Sequence, residues 1–170
     1  YMNKEYIKVK EVLKNFNKKD EFYYWFRVKK EAQMIIKEDG YEDGIDYLST
    51  KFNKIKNPNL KMVFDIANFY KNAKMYEEAI DYYTQIISSL SDKSDMKSDL
   101  LYRRGGSYER VGNYEKSDED LLHSLRINPD DAYALNYLAY SWLERDYKID
   151  EAFQMLEKAY ATKSEDPYII

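Results

Sequence analysis

The 170-residue sequence predicts an all-α fold, a solenoid of antiparallel helix pairs, and three observations carry that prediction. Five Gly and three Pro are too few turn-formers for the many reversals of an all-β chain. Small residues recur in the sequence at a fixed period. Apolar residues flank each of them at helical offsets.

Two interleaved series carry the period. Ala32, Ala67, Gly105 and Ala139 are spaced 35, 38 and 34, and Gly44, Ala79, Ser117 and Ala152 follow them by 12, 12, 12 and 13. Four residues before the first series stand Val28, Val63, Leu101 and Leu135; three after it stand Ile35, Tyr70, Tyr108 and Trp142. Tyr41, Tyr76, Tyr114 and Ile149 precede the second series by three, and Leu48, Tyr83, Leu121 and Leu156 follow it by four. Phe52, Ile87, Leu125 and Tyr160 continue that row four residues further on. Such offsets place the side chains on one stripe of a helix, with the small residue where two helix axes come close.

The elements follow in order. Tyr6, Val9, Val12, Leu13 and Phe16 make a stripe over 4–16, expected as the second helix of a truncated preceding repeat at 1–19. Repeat one, 20–58, has helices over 20–37 and 41–54 about the turn Glu38-Asp39-Gly40, and Asn57-Pro58-Asn59 closes it. Repeat two, 59–95, has helices over 60–72 and 76–90 about Asn72-Ala73-Lys74, then the longer linker Ser91-Asp92-Lys93-Ser94-Asp95. Repeat three, 96–130, has helices over 97–111 and 114–127 about Val111-Gly112-Asn113, closed by Asn128-Pro129-Asp130-Asp131. Repeat four, 131–166, has helices over 132–145 and 149–163 about Arg145-Asp146-Tyr147. Pro stops the outgoing helix in the first and last of these linkers, and Asn or Asp caps the next. Pro167-Tyr168-Ile169-Ile170 reads as the stub of a following helix, Pro suiting its first turn. Both ends therefore read as cuts through a longer array, with end-to-end self-association through uncapped termini as a consequence.

Composition narrows the function classes. Hydrophobic residues at 44% support a core, and charged residues at 34% keep its outside wet. Without cysteine there is neither a disulfide framework nor a thiolate ligand or nucleophile, which leaves bacterial cytoplasm and periplasm equally open. No apolar run reaches the ~20 residues that span a bilayer. The net charge of −4 divides into +5 through Lys37 and −9 beyond it, so no continuous basic face for nucleic acid is expected.

Sites for chemistry are sparse. His123 has Glu119 four residues earlier, two ligands where a metal site needs three or four, and reads as an exposed histidine with no site around it. Asp118-Glu119-Asp120 splays around a helix axis and reads as a solvated face. Asp92, Asp95 and Asp99 lack the spacing of a calcium loop, and Gly105-Gly106 lacks the Gly-Lys-Ser/Thr flank of a phosphate loop. One histidine and no cysteine assemble no nucleophilic triad. The chain is therefore read as binding without catalysing, with no cofactor and no metal.

Period, small-residue placement and the Asn-Pro-Asp terminus resemble the tetratricopeptide repeat, with its pattern W-x2-L-G-x2-Y, A-x3-F, A and P over ~34 residues. Leu101-x2-Arg104-Gly105-x2-Tyr108 and Leu135-x2-Leu138-Ala139-x2-Trp142 match its first helix; Glu78-Ala79 with Tyr83, and Glu151-Ala152 with Leu156, match its second. The likeness covers residues 20–166, departing at Glu31 and Arg104, where an apolar residue is usual, and at Ser164, where Pro would stand. The stretch from Tyr102 to Trp142 further resembles alphaproteobacterial repeat proteins of unassigned activity.

That resemblance implies a right-handed superhelix with the first helices lining its concave face. By position those helices present Lys29, Lys30, Gln33 and Lys37, then Lys61, Phe64, Asp65, Asn68 and Asn72. Next come Asp99, Tyr102, Arg103, Gly106 and Arg110, then Tyr133, Asn136, Tyr137, Tyr140 and Glu144. Asn68, Tyr102, Arg103, Gly106, Tyr133, Asn136, Tyr137 and Tyr140 are the expected groove for a partner segment, with Gly106 leaving room for its backbone. Co-chaperone members hold a C-terminal carboxylate there with Lys, Asn and Arg. The equivalent places, Lys29, Gln33, Asp65, Asp99 and Arg103, include two acids that repel one. The implied function is a protein-interaction scaffold. A helical-repeat RNA-binding module and the substrate-recruiting module of a larger enzyme are the alternatives, the first supported by the Lys-rich N-terminal third alone.

Overall fold

A computed structural model describes residues 21–169, and every regular element among them is helical. In chain order these are α1 (Glu21–Glu38), α2 (Tyr41–Phe52), α3 (Leu60–Asn72), α4 (Tyr76–Ile87), α5 (Asp95–Arg110), α6 (Tyr114–Ile127), α7 (Ala132–Glu144) and α8 (Ile149–Thr162). Each helix expected between 20 and 163 is present, with ends displaced by three residues at most. The largest shift is at α4, whose expected last turn is instead a tight turn at 88–90. The helix expected over 4–16 lies outside the described residues.

The described chain forms two compact units that divide between Phe69 and Tyr70, within α3. In the first, α1 packs on α2, and Trp25 meets Phe52 edge-on at 5.6 Å between ring centroids. Trp25 also donates from Nε1 to Asp65 at 2.9 Å, and Lys29 Nζ stands 2.7 Å from the same carboxylate. In the second unit α4 packs on α5, α5 on α6, α6 on α7 and α7 on α8, the nearest-neighbour packing of a repeat array.

All eight small positions are buried. The reason is visible at the two glycines. A Cβ added to Gly105 would lie 3.3 Å from the carbonyl oxygen of Ser117, its partner in the other series. One added to Gly44 would lie 3.1 Å from the carbonyl of Ala32. Ala32 and Gly44, and likewise Gly105 and Ser117, thus face each other across their helix pairs at near backbone contact.

Three turns share one closure. Lys74, Gly112 and Asp146 have φ of 62°, 79° and 52°, and each follows its first-series residue by seven. Their amides bond to Lys71, Glu109 and Leu143 carbonyls. The next amides, of Met75, Asn113 and Tyr147, reach back to Tyr70, Tyr108 and Trp142, each at 2.9 Å. This is the paired closure of a left-handed helix terminus. The starts of α3 and α7 are capped as expected at Asn59, whose Oδ1 accepts from Met62, and at Asp131, which accepts from Tyr133 and Ala134, whereas α5 starts at Ser94 without a side-chain cap.

Candidate functional site

The expected groove residues of the second unit come from α5 and α7. Tyr102 and Tyr137 meet edge-on, their ring centroids 5.9 Å apart at 81°. The Tyr137 hydroxyl donates to Glu109 Oε2 at 2.9 Å. Burial pushes the phenols of Tyr137 and Tyr102 up from their usual range, and the Glu109 carboxylate adds to the shift at Tyr137. Arg103 pairs with Asp99 at 2.8 Å; burial alone would lower the guanidinium, and that pairing together with the Tyr83 phenol more than offsets it.

Two adjoining hollows open on these residues. One, of about 300 Å³, is lined by Tyr102, Arg103, Gly106 and Tyr137 together with Lys71, Tyr76, Ser107 and Arg110. The second, of about 220 Å³, is lined by Asn136, Tyr137 and Tyr140 with Glu109, Arg110, Ser141 and Glu144. Arg110 and Tyr137 belong to both. In the second hollow, Asn136 Oδ1 and Ser141 Oγ are buried polar atoms without a partner among the described residues. Such atoms cost stability unless something satisfies them.

Tyr133 does not join these linings. It lines a third hollow with Thr162–Tyr168, its hydroxyl donating to Asp166 Oδ2 at 2.5 Å and the Lys163 ammonium 4.3 Å over its ring. The same C-terminal stretch reaches Asn136, whose Nδ2 donates to the Tyr168 carbonyl at 3.2 Å, and it buries Ile169 among Ala132, Leu135 and Ala159. Asn68 is half-buried on α3 in the first unit. Gly106 lines the first hollow, and a Cβ there would sit 3.5 Å from the Tyr137 hydroxyl, an ordinary contact.

Sequence reasoning missed the polar pairs. Asp120, expected on a solvated face, is 6% exposed, and Arg104 binds both of its oxygens at 2.7 Å. Arg104 also donates to Thr84 Oγ1 at 3.0 Å, tying three helices together. Asp118 of the same run accepts from Arg145 at 2.7 Å. His123, expected bare, is half-buried with Nε2 3.3 Å from Asp92, which Lys97 also holds at 2.7 Å. Ser98 and Ser124 exchange bonds to each other's carbonyls, at 3.1 and 2.8 Å, inside the α5–α6 contact. Among the described residues no group of three acidic or histidine side chains is placed as metal ligands, and no helix is long and apolar enough to cross a membrane.

The tetratricopeptide-repeat family model matches residues 60–89 and 98–131. A TPR repeat-containing protein of Methanocaldococcus jannaschii is 35% identical over 85 residues, which is 50% of this chain and 14% of that relative. The chain thus spans a small part of that relative's length. Among solved structures, a crystal structure of MamA superposes with a TM-score of 0.67 at 18% identity, covering 92% of this chain and 85% of that one. The first TPR of Spaghetti (RPAP3), bound to an HSP90 peptide, superposes with a TM-score of 0.57 at 18% identity, covering 65% of this chain and 83% of its own. The fold is of the all-α, α–α superhelix class.

Proposed function

We propose that this tetratricopeptide-repeat protein is an interaction module that holds a segment of another protein against the α5–α7 face. The observation that carries the reading is the second hollow, which Asn136 lines together with the half-open phenol of Tyr140 and the charged side chains of Glu109, Arg110 and Glu144. A peptide backbone carries donors and acceptors at every residue, so a segment laid there meets polar and charged side chains along its length. Tyrosines around it add contact area at low entropic cost. The RPAP3 repeat bound to its HSP90 peptide supports the same use of this fold.

The ligand chemistry of that relative is a poor fit here. The cations that would clamp a terminal carboxylate are engaged within their own units: Lys29 by Asp65 and Arg103 by Asp99. An internal segment of a partner is therefore the favoured occupant. Alanine substitution of Asn136 and Tyr140, read as affinity for the partner, tests the reading.

A further inference from the structure

The α5–α7 face carries, beside the hollow of Asn136, a hollow whose charge is one-sided. Its lining holds Lys71, Arg103 and Arg110, with no acidic residue among them, in a chain whose net charge is −4. Lys71 comes from the last turn of α3, and Arg110 is the last residue of α5. Arg103 is spoken for by Asp99, but Lys71 makes no ion pair among the described residues. Arg110 has only its neighbour Glu109, at 3.6 Å, with its own side chain 61% exposed. Lys71 is thus left over beside a loosely paired Arg110, and both line one cavity. Their proximity is felt: burial, then the charge of Arg103, holds the Lys71 ammonium below its usual range.

The rest of the lining suits an acid on a carbon stem. Tyr76, Tyr102 and Tyr137 supply ring surface around the cations, and Gly106 and Ser107 form a floor with little side chain. Arg presents a planar fork that matches a carboxylate, and Lys a point charge. Gathering three cations at one hollow is unfavourable for the fold by itself, and an anion entering the hollow relieves it. Arg103 is one of the places by which co-chaperone members hold a terminal carboxylate; Lys71 and Arg110 are not, since they stand at the turn ends of their helices.

From this we infer that the hollow between Lys71, Arg103 and Arg110 is an acidic-residue subsite, taking an Asp or Glu side chain of the partner segment. The inference rests on the proposed function, and it adds the chemistry of the partner: an acidic residue beside the stretch that lies on Asn136.

A fluorescein-labelled octaglutamate peptide is the first probe, with octalysine as its control, titrated against the full chain by fluorescence anisotropy. Octaglutamate is expected to bind and octalysine not, with affinity falling as salt rises. Lys71→Gln combined with Arg110→Gln should weaken octaglutamate at least tenfold while circular dichroism stays unchanged. Equal binding of the two peptides, binding of neither at millimolar concentration, or an unaffected double variant overturns the subsite. Titration of the partner separates this inference from the proposed function. If Asn136→Ala weakens the partner and the Lys71/Arg110 variant does not, the face is right and the subsite is overturned. If only the Lys71/Arg110 variant weakens it, the subsite stands and the Asn136 hollow is not the seat.

Discussion

Arg104 grips Asp120 with two nitrogens, Nε to Oδ2 and Nη2 to Oδ1, each at 2.7 Å. The pair replaces an apolar contact. Arg104 precedes Gly105 as Leu138 precedes Ala139, and Asp120 follows Ser117 by three as Met155 follows Ala152. The first unit uses the same device: Glu31 precedes Ala32, and the hydroxyl of Tyr47, three after Gly44, donates to it. Where one helix of a pair departs from the apolar pattern, its mate departs with it.

Arg104→Leu alone should therefore cost about 3–5 kcal/mol, because it strands a carboxylate whose side chain is 8% exposed. Arg104→Leu with Asp120→Met, which copies the solution in α7 and α8, should recover most of that loss. Thermal denaturation of the single and double variants measures both. A single change costing under about 1 kcal/mol, or a double change no better than the single, would contradict the pairing.

The adjacent glycines of α5 make a sharper comparison. Gly106→Ala gains helix propensity of about 0.5–1 kcal/mol, since its Cβ would meet only the Tyr137 phenol at 3.5 and 3.6 Å. At Gly105 the added carbon would stand 3.0 Å from Leu121 Cγ and 3.3 Å from Asp120 Cβ, and crowding cancels the gain. Melting temperature should rise for the first variant and not for the second. The reverse order would mean that the α5–α6 approach is not close at Gly105.

Turn closure gives a third prediction. Lys74 holds a left-handed φ of 62° that glycine adopts without strain. Lys74→Gly should raise stability by up to about 1 kcal/mol, and Gly112→Ala, at φ 79°, should lower it by about 1 kcal/mol. Denaturant midpoints check the pair; equal effects at both turns would contradict the shared closure.

Alkaline stability follows from the phenols. Burial pushes Tyr83 up to about 12, and Tyr82, Tyr102 and Tyr137 move in the same direction for the same first cause. In the unfolded chain these groups ionise near pH ~10, so the folded state binds the protons longer. Their contribution is complete below that pH and is lost as pH rises through the folded values. Melting temperature should fall steeply above pH ~10, in step with tyrosinate absorbance. A flat profile there would contradict the burial of these rings.

The helices were legible because periodicity is a property of single positions: Ala67 or Leu101 declares its face without knowing its neighbour. The left-handed turns were legible at Gly112 and hidden at Lys74 and Asp146, where backbone geometry overrides residue preference. The Arg104–Asp120 and Arg145–Asp118 pairs were illegible because each takes its meaning from a residue on another helix. A signal existed in the matched departures sixteen residues apart, Glu31 with Tyr47 and Arg104 with Asp120. Of the candidate site, the sequence placed Tyr102 and Arg103 on α5 and Asn136, Tyr137 and Tyr140 on α7, where the structure has those helices. It did not divide them between two hollows, nor set Tyr133 against Asp166, because side-chain direction within a turn depends on what packs beside it.

The central claim is that the α5–α7 face binds another protein, and calorimetric titration of a partner isolated by affinity capture tests it most directly. Asn136→Ala and Tyr140→Ala are the informative variants, because Tyr140 is 41% exposed whereas Tyr137 packs on the core and would confound binding with folding. Exposed Glu119→Ala is the control, since its neighbours Asp118 and His123 are engaged with Arg145 and Asp92. Each face variant should bind the partner at least tenfold more weakly, with Glu119→Ala and wild type alike and all melting temperatures unchanged. Equal affinity of wild type and both face variants would contradict the account.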